Sequence, residues 1–212
     1  PAGPVVLPPP EPTVVAGPPR AALAVEVVAY LGAALMASAV MGIVARQWKD
    51  VAFPGRVAMV AVPTVAAGIV GWMLRDRTGP LGRLASVLWF LGVGGVAGTT
   101  ALVLTEGTEV ADHPAVTITL AVVTTAALLA WWMRRASLQL LALIGTSTGL
   151  VAAVMQQAGV TRPPAFGLVV VGLGLCWFAQ SRIPWFEPGP VGMAGGLVTA
   201  FVGSQAVASE WQ

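Results

Sequence analysis

Seven apolar stretches, each near twenty residues long, recur between residues 21 and 208, and short, mostly charged segments separate them. They cover about 21–45, 57–74, 84–105, 115–133, 138–157, 165–180 and 191–208. A hydrocarbon layer roughly 30 Å thick takes about 20 helical residues to cross. Inside lipid every backbone N–H and C=O needs a partner within the chain, and the alternation of a barrel strand is absent, so helices are expected. The connectors RQWKDVAFPGR, RDRTGPLGR, EGTEVADHP, RRAS, AGVTRPP and SRIPWFEPGP are short enough to make successive helices antiparallel neighbours. The expected fold is an all-α membrane protein of about seven transmembrane helices.

Composition agrees. Of 212 residues, 57% are hydrophobic and 9% charged, against about 25% charged in a soluble domain. Lipid must therefore be the solvent for most of the surface. Eleven basic and nine acidic residues leave no nucleic-acid footprint. The single cysteine, Cys176, excludes an intramolecular disulfide and a thiolate metal cage. Ten of the eleven basic residues are arginine, which with the abundant Ala, Gly and Val points to a GC-rich bacterial source.

Residues 1–20, PAGPVVLPPPEPTVVAGPPR, hold eight prolines and favour extended polyproline II. They are expected to form a semi-rigid linker or an arm docked on a partner, and residues 21–212 the helical bundle. The start at Pro1 suggests part of a longer protein, or a processed one. Basic residues near the helix ends set the orientation. One side holds Arg20, Arg75, Arg77, Arg83, Arg134, Arg135 and Arg182; the other holds Arg46, Lys49, Arg56 and Arg162. Seven against four places the N-terminus in the cytoplasm and the C-terminus outside a bacterial inner membrane. The acidic segment of Glu106, Glu109 and Asp112 agrees; the first connector, with three basic residues, does not.

Three pairs of spans repeat a pattern. The second, fourth and sixth end in GWMLRDR, AWWMRRA and LCWFAQSR, each with a tryptophan (Trp72, Trp132, Trp177) shortly before arginine. Their partners carry small or polar residues at spacing 0, 4, 7, 11: Gly94, Gly98, Ala101 and Thr105; Gly145, Gly149, Ala152 and Gln156; Gly192, Gly196, Thr199 and Gly203. At 100° per residue these positions share about 60° of one face. Each stripe opens with the GxxxG spacing that lets helix backbones approach in lipid. One leading helix plus three tandem hairpins, packed through Gly98, Gly149 and Gly196, is the expected arrangement.

Candidate chemistry is sparse. Glu26 is the one acid inside a span, and an intramembrane carboxylate is a functional candidate, here weighed against interfacial anchoring. Gln139, Gln156, Gln157, Gln180 and Gln205 suit interhelical hydrogen bonds. Gln156, on its helix's stripe, is expected to face the interior. Thr146, Ser147 and Thr148 are expected to bond their own helix. His113 sits in a D-H-P helix entry where Asp112 can cap and Pro114 suits the first turn. Pro63 frees the Met59 carbonyl and is expected to kink its helix. No catalytic constellation, metal-ligand set or cofactor motif stands out.

From YLGAALMASAVMGIVARQWKDVAFPGR through GWMLRDR to FLGVGGVAG, residues 30–106 resemble a bacterial family of multi-pass membrane proteins of unknown function. Members often carry a soluble segment before the helices. The resemblance implies a helix bundle and brings neither an activity nor site residues. The expected function is a non-catalytic accessory or scaffold subunit, with the bilayer and other membrane subunits as partners. A transporter or channel for a small solute or ion is the alternative.

Overall fold

The computed structural model describes residues 35, 39, 42, 44–160, 162–183 and 189–208. Glu26, the proline-rich arm and nearly all of the first expected span lie outside the described residues. The chain divides into two units, Pro1–Val51 and Ala52–Gln212. In the first, residues 44–47 are helical and run into a 3-10 turn at Trp48–Asp50.

The second unit consists of α1 (Phe53–Met73), α2 (Gly79–Glu106), α3 (Asp112–Met133), α4 (Ser137–Gln157), α5 (Pro163–Gln180) and α6 (Gly189–Ala208). Among the described residues all regular structure is helical. Five helices, α1 to α4 and α6, are long and apolar enough to cross a membrane. The 18 residues of α5 carry no charge but are fewer.

Local chemistry explains the helix ends. Proline stands in the first turn of α1, α2 and α5, where a missing N–H costs nothing and φ is already helical. Gly79 takes a φ of 67°, which reverses the chain into Pro80. Gly159, at a φ of 72°, closes α4. Its N–H donates to the Gln156 carbonyl at 3.1 Å and Val160 N–H to the Met155 carbonyl at 3.0 Å, the Schellman pairing that satisfies last-turn acceptors. Asp112 departs from its expected capping role. Ala111 is the N-cap, without a side-chain cap bond, and Asp112 is the first helical residue. There its carboxylate faces the positive end of the helix dipole. The helix of α1 continues through Pro63.

Packing is closest between α5 and α6, then between α1 and α2 and between α3 and α4; α2 also packs on α3, and α4 touches α2, α5 and α6. The core forms where α2, α3 and α4 converge, from Val93, Val123, Ala127, Trp131, Leu140 and Ile144. Trp177 of α5 and Val191 of α6 press against it, so one core ties the helices after α1 together. Outward lie Val62, Val65 and Ile69 of α1, Ile118 and Leu129 of α3, and Leu197, Val198 and Phe201 of α6, all well exposed. Apolar surface on this scale is unsuited to water and suits lipid.

Candidate functional site

Most hydroxyl groups in the helices are spent on their own backbone. Thr64 donates to Val60 O at 2.6 Å, Thr99 to Gly95 O at 2.8 Å and Thr199 to Gly195 O at 2.9 Å. Thr146, Ser147 and Thr148 bond back to the carbonyls of Leu143 and Ile144, as their type and setting suggest. Such bonds neutralise a hydroxyl in lipid without linking helices.

Gln139 does link helices. It lies in the first turn of α4, is fully buried, and donates from Nε2 to the Ser86 carbonyl of α2 at 3.0 Å. Its Oε1 is buried without a hydrogen-bond partner, as are Trp89 Nε1 and Thr124 Oγ1. Gln156 is instead exposed in the last turn of α4, contrary to its expected inward orientation. A second link runs through Arg134, at the end of α3, whose Nη1 donates to the Arg75 carbonyl in the α1–α2 turn at 2.9 Å. At the opposite end, Arg56 of α1 pairs with Glu106 of α2 at 2.5 Å. Each of those charges sits at the unfavourable pole of its own helix, so the pair offsets both.

An unpaired buried acceptor costs about 1–3 kcal/mol, whereas an interhelical bond in a membrane bundle averages about 0.6 kcal/mol. Gln139→Leu, similar in volume, removes both at once. The expected outcome is unchanged stability or a gain of up to about 1 kcal/mol in detergent unfolding. A clear loss would show that Oε1 carries a structural water.

The three striped helices differ in how closely they pack. A Cβ at Gly196 falls 2.6 Å from the Gly174 carbonyl oxygen and 2.6 Å from Phe178 N. Gly203 meets Val171 N at 2.7 Å, and Gly167 on α5 meets the Gly203 carbonyl at 2.6 Å. Here backbone lies on backbone. Gly149 meets only the tip of Leu120 at 3.3 Å, and Gly98 only Val60 Cγ1 at 3.4 Å. Gly94 and Gly145 have nothing within 4 Å. In the middle of α2 the tight glycine is Gly95, pressed on Thr64, and that of α1 is Gly71, under the Trp89 indole at 3.2 Å. Sequence reasoning missed Gly167, Gly174, Gly95 and Gly71. The seven-residue spacing of Gly167 and Gly174, two full turns on one face, was the available signal.

Of the tryptophans before arginine, Trp72 stacks on the Arg75 guanidinium at 4.2 Å and its ring centroid is 6.5 Å from that of Trp89. Trp132 points outward while its neighbour Trp131 fills the core. His113 is exposed, as is Cys176. Among the described residues no three His, Cys, Asp or Glu side chains cluster to hold a metal. Comparison of the chain with protein-family models, with curated proteins and with solved structures finds no match.

Proposed function

We propose that the chain is a seven-span membrane protein, a leading helix over residues 21–45 followed by three hairpins, that serves as a non-catalytic scaffold or accessory subunit. The observation that carries the reading is the interior. It is filled by Trp131, Leu140, Leu143 and Ile144, while the charged side chains of α1 to α6 stand at the helix ends. From 57 to 74, 84 to 105, 114 to 133, 136 to 161, 163 to 181 and 188 to 209 there is no charged residue. A bundle so built offers shape and surface rather than a polar path. The pairing of α1 with α2, α3 with α4 and α5 with α6 supports the hairpin scheme. Gly94 and Gly98 lie exposed on α2, a face that suits close approach of another helix. The arginine bias supports a cytoplasmic N-terminus in a bacterial inner membrane.

A channel or transporter is the second reading, favoured by the unpartnered Gln139 Oε1, Trp89 Nε1 and Thr124 Oγ1 inside a bundle of similar hairpins. Purification in mild detergent followed by liposome flux separates the two. Stoichiometric membrane subunits co-eluting with the chain, and no flux, are expected. A lone protein that conducts a small solute or ion overturns the scaffold reading.

A further inference from the structure

We draw no further inference here: the strongest candidate, the exposed face of α2 at Gly94 and Gly98, is a small-residue stripe, and nothing in the structure shows what covers it.

Discussion

Gly196→Leu is expected to lower the stability of the bundle by about 3 kcal/mol or more, enough to prevent accumulation of folded protein in a marginal detergent. Overpacking in a well-packed core usually costs about 1–3 kcal/mol, because neighbouring side chains shift. At Gly196 the neighbours are the Gly174 carbonyl, Phe178 N and, at 3.1 Å, Phe178 Cα. Backbone atoms cannot rotate aside, so α5 and α6 must separate along their length. Even alanine should be costly there. Other glycines on the same pattern provide the control. Gly98→Leu and Gly149→Leu meet only side-chain tips of Val60 and Leu120, and each should cost about 1 kcal/mol or less. Gly145→Ala meets nothing within 4 Å and should gain up to about 1 kcal/mol from helix propensity. Melting temperatures in one detergent measure the series. A Gly196→Leu protein that melts with the unaltered one would remove the backbone contact from the account.

The contrast among these glycine contacts illustrates what a sequence can and cannot convey about apolar helices. Helix positions were legible because charged residues bracket long apolar runs: α3 and α4, at Asp112–Met133 and Ser137–Gln157, lie within three residues of the stretches 115–133 and 138–157. Rotation about each helix axis was not, because the outward and inward faces are equally apolar and the usual inside–outside contrast disappears. Gly94 and Gly95 are neighbours about 100° apart, and only the position of Thr64 on α1 selects Gly95. Gln156 and Gln139 are likewise indistinguishable by type. Gln139 is buried because Ser86 of α2 passes its amide, a relation across 53 residues that no local pattern carries. Arg134 reads as one more basic residue at a helix end. Its bond to the Arg75 carbonyl makes it a tie between two turns.

The same absence of contrast gives a quantitative test of the solvent. Leu140 is fully buried beside Trp131, Leu143 and Ile144. In a water-soluble protein, cutting such a leucine to alanine costs about 2.7–5 kcal/mol. Roughly 2 kcal/mol of that is the transfer of the lost carbons out of water, at about 0.8 kcal/mol per methylene; the remainder is the cavity. If the unfolded helices stay in hydrocarbon, the transfer part vanishes, because a leucine in lipid is as well solvated as one in the core. The expected loss for Leu140→Ala is therefore about 1–3 kcal/mol, the cavity and its lost dispersion contacts alone. Leu129, outward on α3, makes the complementary case: Leu129→Ala should change stability by less than about 0.5 kcal/mol. Reversible unfolding from mild into denaturing detergent measures both. A loss of 4 kcal/mol or more at Leu140, at the upper end of the aqueous range, would restore the transfer term and place water rather than lipid around the unfolded chain.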